Sequence, residues 1–228
     1  MPYETRRGTV TPTPLPDERF SRETWLQVDF LAPDLRLPFS DRFFDFIVCS
    51  HTIEDLVDPT PLLREMRRIA RAGYFETPSR LSEQAVGQRD RISYAPGHPH
   101  HYWIVETPDE ARLLLAHKGD SLDGNPCSYV PLICYEKLLR TGVHADVCQL
   151  LWRDSFECEF VRGEGARRRA TEFTARLGIR TSDRLVDGLV RAARRIKRLP
   201  QHLGAQSMHD WWQEMLRISR PYSRIPLR

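Results

Sequence analysis

Lysine is almost missing from this chain: Lys118, Lys137 and Lys197 are the only lysines among 34 basic residues, and Asn125 is the single asparagine. Arginine is the residue that grips phosphate bidentately. With a net charge of only +3, however, the bias reads as the output of a GC-rich coding sequence, and nucleic acid is not an expected partner. Gly8 is the only glycine before Asp29, which excludes a glycine-rich turn from that stretch. The five cysteines, at 49, 127, 134, 148 and 158, form no CxxC pair and are odd in number. That argues against a disulfide framework or a cysteine zinc site, and a cytoplasmic setting is expected. No apolar run is long enough to span a bilayer, and "MPYETRRGTVTPTPLPDERF" has no apolar leader core, so neither a membrane span nor a secretory signal is expected.

What remains is an ordinary globular composition, 40% hydrophobic and 29% charged over 228 residues, enough for one sizeable core. Residues 1–23 are proline-rich and read as an extended segment, 24–165 as an α/β domain and 166–228 as a basic helical region. "TWLQVDF", 24–30, alternates as a half-buried strand does, and "FFDFIVCS", 43–50, is apolar enough to be covered on both faces. A helix follows, capped by Asp58, with Leu62, Leu63, Met66 and Ile69 as its apolar stripe and Gly73 as its stop. "GYFETPS", 73–79, completes a strand–helix–strand unit of the kind that forms parallel crossovers. "VCQLLWRDSFECEFV", 147–161, reads as a strand pair or one long strand. In the basic tail, Leu185, Leu189, Ile196 and Leu199 share a face, and Pro200 ends the helix. That face is expected to dock on the domain, with anionic lipid as the alternative.

Three predicted strand ends carry polar groups: Asp29 beside Phe30, Ser50 beside His51, and Glu76 beside Thr77. In open parallel sheets the carboxyl ends of strands are where ligands bind. These residues therefore predict a pocket rim at one edge of the sheet.

The block "DFLAPDLRLPFSDRFFDFIVCSHTIEDLVDPTPLLREMRRIARAGYFETPS" resembles the second half of the core of a class I S-adenosylmethionine-dependent methyltransferase of the methyltransferase type 11 group. The matching features are Asp29 at a strand end, "LPF" with Asp41 after it, "FD" at 44–45, "SHTIE", and "DP" before a helix. The resemblance implies a Rossmann-like, doubly wound sheet and S-adenosylmethionine as cofactor. It implies methyl transfer to a small-molecule or glycan acceptor, with a non-catalytic methyltransferase-like scaffold as the alternative. Asp29, Phe30, Ser50 and His51 would be cofactor contacts, although Phe30 is equally well explained as core. A subgroup of such proteins also has a strand pair where "HHYWIVE" and "ARLLLAHK" flank "TPDE". The hairpin is preferred on that ground, although Thr107, Pro108 and Glu110 would also start a helix well.

The family's glycine-rich turn and ribose-binding acid have no counterpart here. The resemblance thus implies a chain that begins inside the domain, lacks its first strand or two, is impaired as written, and exposes sheet edges to self-association. In many relatives the position of Asp55 is histidine, so no role is carried over there. Methyl transfer is an in-line displacement that mainly needs alignment and exclusion of water. His51 is the candidate base where the nucleophile arrives protonated; otherwise its ring simply shapes the strand end. His98, His100 and His101 are expected to contact substrate. They are not expected to bind metal, because neighbours on an extended chain point in opposite directions.

Overall fold

The computed structural model describes residues 26–88, 90–142 and 144–202, with side chains through residue 196. The architecture is mixed α/β, consistent with the Rossmann-like expectation, and contains two three-stranded sheets. The first has the order β1 (Ile47–Ser50), β2 (Ala72–Pro78), β5 (Val147–Arg153), with β1 and β2 parallel and β5 antiparallel to β2. Helix α1 (Thr60–Ile69) joins β1 to β2. Its predicted stripe is buried, and the Asp58 carboxylate accepts from the Thr60 N–H at 2.9 Å. Gly73 does not stop the helix, which ends at Ile69; it lies in β2, where an added Cβ would stand 2.7 Å from the Trp152 ring and 2.8 Å from the Ile47 carbonyl.

The second sheet has the order β3 (Trp103–Asp109), β4 (Arg112–His117), β6 (Glu157–Val161). β3 and β4 form the expected hairpin, and the competing helix does not form. Burial on both faces explains why tertiary context overrides the capping signal. Trp103, Val105, Leu113 and Leu115 enter the main core, while Ile104, Leu114 and Ala116 pack against Ala166 of α5 (Gly163–Arg176). The segment 147–161 is neither a hairpin nor one strand: Asp154 adopts φ +62°, and the chain passes there from the first sheet to the second.

Three expectations fail. Residues 26–30 join no sheet; the Asp29 carboxylate accepts from the Leu31 N–H at 3.0 Å, so the chain turns there, and only two of the three polar strand ends exist as such. β1 is not covered on both faces: Cys49 is buried but Val48 is 66% exposed, in register with exposed Leu151 across Tyr74. Finally, α6 (Thr181–His202) docks through its polar side. Leu189 is 72% exposed, and Leu185 and Ile196 are exposed with it. Arg191 is buried instead, 2.5 Å from Asp187, donating to the Ser93 carbonyl at 2.7 Å and lying over the Tyr94 ring. Arg184 donates to the carbonyls of Tyr129 and Cys127. These loop carbonyls need donors, which the apolar face cannot supply. The helix also continues two residues past Pro200, since a proline near a helix end removes one hydrogen bond without having to stop the chain.

Between these elements lie α2 (Arg80–Gln84), α3 (Lys118–Ser121) and α4 (Leu132–Arg140). All five residues of α2 are buried, four of them polar. Each polar one is partnered: Arg80 with Glu106 at 2.7 Å, Gln84 with the Ser128 carbonyl at 2.6 Å, Ser82 with His98 at 3.4 Å, and Glu83 as described below. No helix among the described residues is long and apolar enough to cross a membrane.

Candidate active site

The site begins where β1 ends. Ser50 pairs with Glu76 across the parallel ladder, and the next residue, His51, leaves the strand with φ +48° while its N–H donates to the Glu76 carbonyl at 2.8 Å. Such a conformation is uncommon for a residue with a side chain, and strain of this kind concentrates at functional positions. The Glu76 carboxylate gathers the Tyr74 hydroxyl at 2.6 Å, the Gln149 amide at 3.0 Å and the Ser50 hydroxyl at 3.3 Å. The Tyr74 hydroxyl above all, with Gln149 next, holds its pKa below the usual carboxylate range. The His51 ring lies between two acids, Nδ1 at 3.5 Å from Glu54 and Nε2 at 3.7 Å from Glu76.

Glu54 sits in a 3-10 turn, Ile53–Asp55, and is fully buried, with neither oxygen accepting a hydrogen bond of good geometry. Burial pushes its carboxyl up to about 7. Asp55 and Glu83 add to this, against the pull of the Glu54 and Thr52 N–H groups. The same turn holds the histidine loop in place. The Glu54 carbonyl accepts from the Tyr102 N–H at 2.7 Å, and the Trp103 indole donates to the Leu56 carbonyl at 2.8 Å.

The loop is a turn, not an extended strand. His98 has φ +51°, and the His101 N–H returns to the His98 carbonyl at 3.1 Å. The rings of His98 and His101 therefore stack in parallel at 4.7 Å, and His100 meets His101 edge-on at 4.4 Å. The divergence expected of neighbouring histidines does not occur. Buried Glu83 anchors the group: His101 Nδ1 lies 2.6 Å from it, and the Lys118 ammonium bonds to Glu83 and to the carbonyls of Gly97 and His98. Burial lifts Glu83 to about 7 and lowers Lys118, while it pulls His98 down to about 4 and His101 to about 3. Both rings are thus neutral near pH 7.

Of the predicted site residues, Ser50 and His51 meet at the strand end, and His98, His100 and His101 are tied to it through residues 53–55. Asp29 is exposed in its own turn, and Phe30 packs against the main core. Glu54, Glu83 and Lys118 carried no sequence assignment. Lys118 follows an apolar strand and is one of only three lysines, which is the one signal that pointed to it. A surface cavity of about 730 Å³ is lined by Glu106, Thr107, Arg169 and Arg176 among others and contains none of the histidine cluster.

A protein-family model described as a methyltransferase domain matches residues 9–75. The match covers less than a third of the chain and supports a likeness to class I S-adenosylmethionine-dependent methyltransferases. Neither the curated proteins nor the solved structures give a match. Within the matched segment lie Ser50, His51, Glu54 and Asp55. The histidine loop, Glu83 and Lys118 lie beyond it, and the turn at 53–55 joins them to the end of β1.

Proposed function

We propose that this chain transfers a methyl group from S-adenosylmethionine to a small-molecule or glycan acceptor where the β1 end meets the histidine loop. The observation that carries the reading is the convergence of Ser50, His51, Glu54 and Glu76 at the ends of two parallel strands, where such sheets bind ligands. The donor set suits S-adenosylmethionine, which carries a sulfonium and an ammonium group: Glu76 is held in its charged form by its neighbours, and Ser50 offers a hydroxyl beside it. Asp29 and Phe30 belong to the same proposal as adenine contacts.

When bound, the cofactor supplies a methyl group already activated by its positive sulfur. The protein's task is then alignment and exclusion of water. His51 is placed to take a proton from a protonated acceptor, its ring oriented between Glu54 and Glu76. His98, His100 and His101 line the acceptor side. All five cysteines are free, which suits a cytoplasmic setting, and self-association would occur through the exposed sheet edges.

Calorimetric titration of the full chain with S-adenosylmethionine tests the cofactor assignment. Micromolar binding that weakens in Ser50→Ala and Glu76→Gln supports it. Absence of binding would leave a methyltransferase-like scaffold without catalysis.

A further inference from the structure

We infer that Asp55, His100 and His101 form a binding site for one divalent transition-metal ion. One ligand atom from each, all within 4.8 Å of one another, defines the set. The Asp55 carboxylate stands 3.7 Å from His100 Nε2 and 3.5 Å from His101 Nε2. Those separations are too long for good N–H···O hydrogen bonds, whose mode is about 2.9 Å. They are close to the spacing of about 3.4 Å between donors that share one tetrahedral ion with bonds of about 2.0–2.1 Å.

A second observation is independent of this spacing. Ligating histidines nearly always engage their other ring nitrogen with a carboxylate or carbonyl, which fixes the ring and leaves the remaining nitrogen free for metal. His101 does this: Nδ1 lies 2.6 Å from the fully buried Glu83, leaving Nε2 to face Asp55. The Lys118 ammonium is bonded to Glu83 and to two loop carbonyls, so its charge is matched locally. Two imidazoles and a carboxylate are ligands that suit zinc, iron or manganese. Three protein donors leave coordination positions open, and Asp55 and His100 are both half-exposed, so an oxygen of water or of an acceptor has access.

The loop geometry makes this possible. His100 and His101 converge because the chain turns at His98, and Gly97 permits that turn because an added Cβ would collide with the Ser82 carbonyl. The inference does not depend on methyl transfer, and its test needs no cofactor.

Chelator-stripped protein is titrated with cobalt(II) and followed by visible absorption, then back-titrated with zinc(II). One equivalent of cobalt should bind with ligand-field bands that zinc abolishes. His100→Ala and Asp55→Asn change half-exposed side chains, so both variants should keep the native far-ultraviolet spectrum while losing more than about 100-fold in affinity. Glu83→Gln should lose about 10- to 100-fold, as expected for an outer partner. Failure of the full chain to bind cobalt or zinc, or unchanged affinity in the two exposed variants, would overturn the site. Metal binding without S-adenosylmethionine binding would sink the methyltransferase reading and leave this one standing.

Discussion

Glu65 and Arg68, one turn apart on α1, clamp the loop that precedes β1. Arg68 donates to Glu65 at 2.8 and 2.6 Å, to the Leu37 and Phe39 carbonyls at 3.0 and 2.7 Å, and to Asp41 at 2.9 Å. Glu65 in turn accepts from the Leu37 N–H at 2.7 Å. The "LPFSD" stretch, which in the sequence is only a family signature, is thus the backbone and side-chain set that satisfies one buried ion pair.

The pair sets an acid limit on stability. Bonding to Arg68, with the Leu37 N–H and Arg36 assisting, holds the Glu65 pKa below its ordinary value of 4.5. A carboxylate with a lowered folded pKa contributes stability that is complete above the unfolded value and is lost as pH falls through the folded one. Urea midpoints should therefore hold above about pH 5 and fall below it. Glu65→Gln should be less stable near neutrality and should lack that part of the acid loss, whereas Glu65→Ala, which leaves the Leu37 N–H without its acceptor and Arg68 with only Asp41 and two carbonyls, should cost about 1–3 kcal/mol. An equal acid loss in wild type and Glu65→Gln would show that the pair is not responsible.

Two glycines should respond to alanine for different reasons. Gly73→Ala drives a methyl group into the Trp152 ring and the Ile47 carbonyl, at a cost of about 1–3 kcal/mol. Gly142 has φ +67° with nothing within 4 Å, so alanine there meets only backbone strain, about 1 kcal/mol. Thermal unfolding of both variants checks the order; the reverse ranking would mean that β2 and β5 can move apart.

Much of the fold was legible because it follows from local chemistry. Asp58 and the Leu62–Ile69 stripe specify α1 without help, whereas the β3–β4 hairpin was preferred over a helix only on the resemblance, and burial of β4 on both faces is its physical reason. The site was legible in half: Ser50 and His51 announce themselves as polar groups ending an apolar strand. Glu54, Glu83 and Lys118 do not, because a buried charge is recognisable only beside its partner, and Lys118 is 35 residues from Glu83. The histidine geometry was misjudged because the left-handed turn at His98 is not specified by residue type. α6 was misjudged because amphipathicity tells which side is apolar and not which side has carbonyls waiting.

The inverted helix gives a direct contrast. Leu189→Gln and Leu185→Gln, both on the exposed stripe, should change stability by less than about 0.5 kcal/mol. Arg191→Ala should cost about 3–5 kcal/mol, because it leaves buried Asp187 unpaired and the Ser93 carbonyl without its donor. Denaturant titration distinguishes them. A large loss in the leucine variants would show that the stripe is covered in solution.

His51 offers the sharpest separation of stability from function. Its φ of +48° is a conformation glycine adopts freely, so His51→Gly should be neutral or stabilising by up to about 1 kcal/mol, whereas His51→Ala keeps the strain and loses the contacts with Glu54 and Glu76. If the ring takes the acceptor's proton, both variants should lose about 10²- to 10⁴-fold in methyl-transfer rate, the usual contribution of a positioned acid or base, with S-adenosylmethionine affinity changed far less. If the ring only shapes the strand end, cofactor affinity should fall and turnover at saturating cofactor should survive. Measuring S-adenosylhomocysteine release alongside melting temperature reads both quantities from one set of variants. A variant less stable than wild type by several kcal/mol would mean that the ring, and not the site it faces, is what the left-handed turn is kept for.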